Sequence, residues 1–269
     1  MIKFKPYNYV DNKVFGCEAF SMLVPEEWVV SGGITWRQHA TMPGAINISI
    51  RSSDGEYQLN LLPSKPYYWS HNPFSFLGPR EGTEYMGNEV RCPVSGYLDY
   101  LEKYILPKGR YSTRIIEARK FIELENSLRF ENPGAFGTNV IIDGGIAKLE
   151  YINNNIVYEG DISCGIVITN MMGGKISWIA DKLISTRAPK GRLEEGKKVF
   201  NIILKSFKFN LRWFNMYHQL VQYLTQYVMQ DIYNAGVISE IIPTTFHQVS
   251  DTVRRSYEAQ KATNDRVFR

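Results

Sequence analysis

Residues 45–62, "AINISIRSSDGEYQLNLL", constrain the fold most because apolar and polar residues alternate in 46–51 and again in 57–61. Isoleucine occupies every second position of 46–50, and apolar residues occupy every second position of 57–61. Successive side chains of a strand point to opposite faces, so this period predicts two half-buried strands. Between them, Gly55 of "SSDG" can adopt the positive φ that a hairpin turn requires. The segment therefore predicts an antiparallel β-hairpin.

The same period of two returns between residues 140 and 187. "GIAKLEYINNNIVYEGDIS" predicts two strands around an Asn-rich turn, and "GIVITNMMGGKISWIADKLISTRAP" predicts two more around Gly173 and Gly174. Near the N-terminus, "AFSMLVP" predicts a strand that ends at Pro25, since proline has no ladder donor. Together these segments predict an antiparallel sheet.

Two segments before residue 210 carry apolar residues at helical spacing. "SGYLDYLEKYILPKG" predicts a short amphipathic helix that begins after Ser95 and is stopped by Pro107 and Gly109. A second helix follows Pro189, and its apolar stripe must pack on the sheet to be buried. The expected fold class is α+β, an antiparallel sheet packed with helices as an α/β/α sandwich. The stripe consists of Leu193, Val199, Phe200, Ile203 and Phe207.

A C-terminal helical extension, residues 210–269, is predicted to follow a sandwich domain of residues 1–209. An apolar stripe that includes Val221 and Val228 keeps a helical register from Trp213 to Ile232, and no Asp, Glu, Lys or Arg occurs between Trp213 and Gln230. Freely solvated helices normally carry charges on their outer face. From Thr245 onward, a charged helix with few apolar positions is expected, and such a helix needs a partner for stability.

Composition excludes several classes of function. The chain has 269 residues, 44% hydrophobic and 22% charged, which is the composition of a globular protein. Its net charge of +4 is spread along the sequence, so nucleic acid is not the expected partner. No stretch reaches the roughly 18 apolar residues of a membrane span, and no secretory signal pattern follows the first residues. A cytoplasmic setting without a membrane span is predicted.

The sequence offers no pattern that is typical of catalysis. The four histidines are scattered, and Cys17, Cys92 and Cys164 are far apart, so no metal site is predicted. There is no nucleophile elbow, and the glycine pairs lack the spacing of phosphate-binding loops. We therefore expect no catalytic residues and no cofactor, although residues distant in sequence can still meet in space.

Two segments are candidates for binding. The first is "YYWSHNPFSF", residues 67–76, a predicted loop whose aromatic residues are of the kind that anchors interfaces and ligand pockets. The alternative is that these rings only cap the open end of the core. The second candidate is a glutamine stripe on the helix after residue 210, which must point away from the sheet if the apolar stripe faces it. The candidate residues are Tyr68, Trp69, His71 and Phe74 in the loop, and Gln219, Gln222, Gln226 and Gln230 in the stripe.

Three segments resemble the PsbP/Mog-like family, which includes DcrB-like bacterial proteins: "FSMLVPEEWVV", "GAINISIRSSDGEYQLNLLPS" and "STRAPKGRLEEGKKVFNIILKSFKF". Pro25, Trp28 and Ser206 match the family's strand-ending bend and the serine of its last helix. The resemblance covers about residues 15–209, with extra sequence in 63–135. It implies a binding, assembly or chaperone domain, and it transfers no catalytic residue.

The leading functional hypothesis is a non-enzymatic protein-interaction or assembly module. Its C-terminal helices would mediate self-association into a homo-oligomer or binding of a protein partner, since uncharged polar stripes can pair without burying charges. The alternative is a small-ligand-binding protein or a hydrolase that uses the aromatic loop 67–76.

Overall fold

A computed structural model describes residues 2–71, 79–108, 113–134 and 138–234. The chain divides into two compact units. The first unit comprises residues 1–26 and 34–45 together with the chain from Asn201 onward. The second unit comprises residues 27–33 and 46–200. The domain boundary that the sequence predicts after residue 209 stays a prediction.

The largest sheet is antiparallel along its main path, as expected for the α+β class. Its strands are β3 (Val29–Trp36), β4 (Gly44–Arg51), β5 (Gln58–Leu61), β6 (Lys65–Ser70), β7 (Glu84–Tyr85), β8 (Asn88–Val90), β9 (Arg114–Lys120), β10 (Asn139–Asn153), β11 (Ile156–Met171) and β12 (Lys175–Pro189). The main order is β3-β4-β5-β12-β11-β10-β9, and β6 pairs with β12 beyond the end of β5. The short strand β8 lies parallel to β6.

The turns between the long strands form where the sequence predicts them. Gly55 has a φ of 73° between β4 and β5, and Gly173 has a φ of 78° between β11 and β12. Asn154 and Asn155 adopt positive φ at the β10–β11 turn, a conformation that asparagine tolerates better than most residues. The predicted hairpins and the β10–β11–β12 meander are confirmed.

Helices cover both faces of the β10–β11–β12 region. Helix α1 (Tyr97–Tyr100) continues as a π-helical segment (Leu101–Ile105) and a 3₁₀ turn (Leu106–Lys108). Its aromatic residues pack on one face. Helix α2 (Ile122–Glu131) packs Leu124 and Leu128 on the other. Consecutive glycines in β10 allow this close approach, because a Cβ at Gly145 would lie 2.1 Å from the Tyr97 ring. The Gly144–Gly145 pair is thus explained by packing.

Several expectations were wrong or incomplete. Residues 65–70 form strand β6 instead of a loop, because Tyr67 stacks on Trp178 with ring centroids 4.0 Å apart and the backbone pairs with β12. The short strands β7 and β8 also follow within residues 84–90, and the sequence predicted neither of them. Helix α1 begins after Gly96 without a side-chain cap, so Ser95 is not the expected cap. Strand β9 (Arg114–Lys120) and helix α2 were not predicted from the sequence.

Helix α3 (Leu193–Ser206) forms as predicted after β12. Its N-terminus is held to β11 by Glu159, whose Oε1 accepts hydrogen bonds from the backbone N–H groups of Gly191 (2.9 Å) and Leu193 (3.3 Å). A carboxylate at this end of a helix satisfies free donors and complements the helix dipole. The packing of the apolar stripe of α3 on the sheet stays a prediction.

In the first unit, β1 (Phe4–Asp11), β2 (Cys17–Pro25) and β13 (Lys208–Phe209) form a separate antiparallel sheet in the order β1-β2-β13. The strand predicted to end at Pro25 is β2. Helix α4 (Leu211–Asn234) follows β13 directly. The charged helix predicted after Thr245 lies outside the described residues.

Candidate functional site

The start of α4 is fixed by Asn210. Its backbone N–H donates to the carbonyl of Ala19 on β2 at 2.8 Å, and its side-chain Oδ1 accepts from the N–H groups of Arg212 (2.9 Å) and Trp213 (3.3 Å). Asparagine is a favoured N-cap because its side chain satisfies donors that lack a partner within the helix. The cap sets where α4 begins and how it leaves the small sheet.

A buried carboxylate then fixes the first turn of α4. Asp11, at the end of β1, is 1% exposed. Its Oδ2 accepts from the indole Nε1–H of Trp213 at 2.9 Å, and its Oδ1 accepts from that of Trp36 at 3.1 Å. The backbone N–H of Val14 also donates to Oδ1 at 3.3 Å. A buried charge is tolerated only when donors replace the lost water, so the two indoles and the carboxylate depend on each other.

Aromatic side chains surround this anchor. Trp213 stacks on Tyr217 with centroids 5.1 Å apart, and Phe15 meets both tryptophans edge-on. The Tyr217 hydroxyl donates to the Gly44 carbonyl at 3.2 Å, and burial raises the pKa of this hydroxyl. The inner side of α4 is therefore held by specific contacts near its N-terminus, so its opposite side has a defined orientation.

From Trp213 to Val228, α4 carries no Asp, Glu, Lys or Arg. Gln219, Gln222 and Gln226 are all exposed, as the helical period requires when Trp213, Met216 and Leu220 are buried. The side chain of Gln230 lies outside the described residues. Between residues 211 and 228, Arg212 is the single residue with a formally charged side chain. The role of these glutamines in binding stays a prediction.

A second stripe on α4, apolar at four of its six positions, was not recognised from the sequence, where Val221 and Val228 were assigned to the buried side. Both are only half-buried. Together with Leu211, Phe214, His218 and Thr225, they follow the alternating three- and four-residue spacing of a coiled-coil seam. Leu211 is 77% exposed and Phe214 is 37% exposed, so the stripe presents large apolar side chains to solvent. The spacing itself was the available signal. We call this stripe the outer seam; it consists of Leu211, Phe214, His218, Val221, Thr225 and Val228.

The described aromatic candidates, Tyr68 and Trp69, do not share one surface. Neighbouring residues of a strand point to opposite faces, and Trp69 packs against the core beside α1 while Tyr68 meets Tyr85 at 4.7 Å. The exposed His71 lies just beyond β6, with its ring 6.3 Å from that of Trp69. Phe74 lies outside the described residues. The expectation that these rings lie together on a loop is therefore wrong for residues 65–70, while their role in ligand binding stays a prediction.

Other features of the described residues offer little chemistry. A shallow cavity of about 230 Å³ lies beside the end of α2, and its lining carries one charged side chain, Arg129. Within the described ranges, no three His, Cys, Asp or Glu side chains converge to hold a metal ion. In the same part of the chain, no helix is long and apolar enough to cross a membrane. The cytoplasmic setting stays a prediction.

Comparison with known proteins adds little. No family model matches the sequence, and no curated protein matches it. Among solved structures, the chain is similar to LpqN, a protein involved in cell envelope biogenesis of Mycobacterium tuberculosis, with 7% sequence identity and a TM-score of 0.26. The match covers 77% of this chain and 91% of LpqN. At that score it supports no conclusion about fold family or function.

Proposed function

We propose that this protein is a non-enzymatic interaction or assembly module and that the outward side of α4 is its binding surface. The observation that carries the proposal is a mostly apolar seam, exposed at Leu211, Phe214 and His218 and half-buried beyond them, beside uncharged glutamines on a helix whose inner side is anchored. Exposed apolar stripes bordered by polar residues are typical of protein interfaces. Uncharged amides on the flank can be buried in a contact at lower cost than charges.

The anchor at Asp11 supports the same proposal. Binding surfaces on rigid elements lose little conformational entropy when a partner docks. Because Trp213 and Tyr217 fix the inner side of α4, the outer seam is presented in one orientation before binding. A surface that is organised in advance suits assembly better than a mobile segment does.

Membership of the PsbP/Mog-like family is part of the proposal. Support comes from Ser206, one of the residues that carry the resemblance. Its Oγ accepts from the N–H of Leu23 at 2.9 Å and donates to the carbonyl of Ile203 at 2.9 Å. The serine thus joins the end of α3 to "FSMLVPEEWVV" on β2, as a packing motif should. The ligand-binding or hydrolase alternative stays a prediction, since the described aromatic residues point to opposite faces of β6.

The test replaces Gln222 and Gln226 with glutamate in the full chain. Two negative charges at i and i+4 on the flank disfavour burial and like-charged pairing. Asn126→Glu with Phe130→Glu is the matched control, because it places the same charges at the same spacing on the exposed side of α2. Light scattering and partner capture should show assembly for the parent and the control, and its loss for Gln222→Glu with Gln226→Glu.

Circular dichroism must show that both variants stay folded. If the parent is a monomer without a partner, or if Gln222→Glu with Gln226→Glu assembles like the parent, the outward side of α4 is only solvated surface and the proposal fails.

A further inference from the structure

We infer that the partner of the outer seam is the same seam of a second copy of this chain, docked antiparallel. This inference rests on the proposed function and names the partner of that surface. The two copies would be related by a two-fold axis near the middle of the segment 211–228. The observations are the spacing of the seam, the charge of its flanks and the sizes of its side chains.

The spacing selects a helix as the occupant. Seam residues recur at intervals of three and four over five steps, from Leu211 to Val228. That spacing places side chains as knobs that fit the holes of another helix with the same repeat. The seam segment spans about 25 Å at 1.5 Å per residue. Phe214 and His218 already contact each other, with ring centroids 4.4 Å apart, so two adjacent knobs are ordered together.

The charge of the flanks selects a second copy over a different chain. In heterotypic helix pairs, opposite charges beside the seam choose the partner, whereas like charges prevent self-pairing. The positions beside this seam are Asn215 and Gln222 on one side and Tyr217 and Leu224 on the other, and none of them carries a charge. An amide both donates and accepts hydrogen bonds, so identical amide faces complement one another. Two copies can therefore meet without repulsion, as a two-fold interface requires.

Side-chain size selects the antiparallel orientation. In that orientation Phe214 meets Thr225 of the second copy, Leu211 meets Val228, and His218 meets Val221, so each layer pairs a large side chain with a smaller one. A parallel pair would instead stack Phe214 on Phe214 and Thr225 on Thr225, which overfills one layer and leaves space in another. Even layers are required for interior packing density. Opposed helix dipoles also favour the antiparallel pair.

The arrangement predicts which positions can be cross-linked. In the antiparallel pair, residue 211 of one copy lies beside residue 228 of the other, while the two residues 211 are about 25 Å apart along the axis. In a parallel pair, residue 211 lies beside residue 211. Leu211 is 77% exposed and Val228 is half-buried, so cysteine at either position leaves the inner side of α4 intact.

The experiment mixes full-length Leu211→Cys and Val228→Cys proteins, oxidises them mildly, and identifies the linked peptides by mass spectrometry. We expect the 211–228 disulfide to form at least about tenfold faster than 211–211 or 228–228. Phe130→Cys, at an 88% exposed position of α2, mixed with Leu211→Cys gives the rate of random collision. The parent chain, oxidised in the same way, shows which cross-linked products come from its own Cys17, Cys92 and Cys164.

A dominant 211–211 product shows a parallel pair and overturns the inference. Rates of 211–228 linking that are no higher than those measured with Phe130→Cys also overturn the inference. If these results appear while the parent still assembles and Gln222→Glu with Gln226→Glu abolishes assembly, the inference fails and the proposed function stands. If the parent neither assembles nor captures a partner, both fail.

Discussion

Replacing Trp213 with phenylalanine tests whether Asp11 anchors α4. The substitution removes the indole N–H that donates to Asp11 Oδ2 at 2.9 Å, and it leaves a 1% exposed carboxylate with fewer donors. Hydrogen bonds to charged groups contribute about 1.5–3 kcal/mol. The smaller ring at a 4% exposed site costs about 1–2 kcal/mol more. We therefore expect a loss of about 2.5–5 kcal/mol in the free energy of unfolding.

The assay is urea denaturation followed by circular dichroism, in a double-mutant cycle with Asp11→Asn. In the Asp11→Asn background the acceptor is uncharged, so Trp213→Phe should cost about 1–2 kcal/mol less than in the parent. Trp36→Phe removes the other indole donor to the same carboxylate and weakens the ring contacts of Trp36 with Trp213 and Tyr217, so its cost should also be smaller in the Asp11→Asn background. If Trp213→Phe costs the same in both backgrounds within about 0.5 kcal/mol, the carboxylate does not hold the helix.

Three further predictions concern the second unit. Gly145→Ala should lower the free energy of unfolding by about 1–3 kcal/mol because its Cβ would lie 2.1 Å from the Tyr97 ring, and adding Tyr97→Leu should recover part of the loss in urea titrations. Burial raises the pKa of Tyr67 to about 12, so stability should fall from about pH 10, where the unfolded tyrosine ionises, to about pH 12. Tyr67→Phe should abolish that component of the alkaline denaturation curve, and an unchanged curve would refute its assignment to Tyr67.

The last of the three concerns Glu159. Although burial alone would raise the pKa of Glu159, hydrogen bonds from Lys148 and the backbone N–H groups of Gly191 and Leu193 lower it. This contribution to stability should be present above about pH 4.3 and be lost as the pH falls through the lowered pKa. Glu159→Gln should remove that acid-dependent step in thermal unfolding measured between pH 2 and 6; a step of the same size in the variant would contradict the assignment.

Local periodicity predicted the elements whose stabilising contacts lie close in sequence. The β4–β5 hairpin and the β10–β11–β12 meander follow from alternation and turn glycines, and α3 and α4 follow from the 3.6 period. Strand β6 was mistaken for a loop because Pro66 and five closely spaced aromatic residues conceal a pairing with β12, more than 100 residues away. Non-local pairings of this kind leave no local pattern.

The candidate site divides in the same way. The exposure of Gln219, Gln222 and Gln226 follows from the helical period alone. The anchor at Asp11 does not, because Asp11 and Trp213 are 202 residues apart and no motif links an aspartate to two indoles. The outer seam was within reach, since its spacing is present in the sequence. It was missed because Val221 and Val228 lie at the border between the two stripes and were assigned to the buried one.

Hydroxyl-radical footprinting of the full chain at increasing protein concentration tests most directly whether the outer seam is the interface. Phe214 and His218 are exposed on α4, and Phe130 is 88% exposed on α2 in the second unit. As the mass measured in parallel rises towards twice the 31.0 kDa of one chain, labelling of Phe214 and His218 should fall severalfold while labelling of Phe130 stays constant. A mass that doubles while Phe214 and His218 remain fully labelled would place the interface elsewhere and contradict the account.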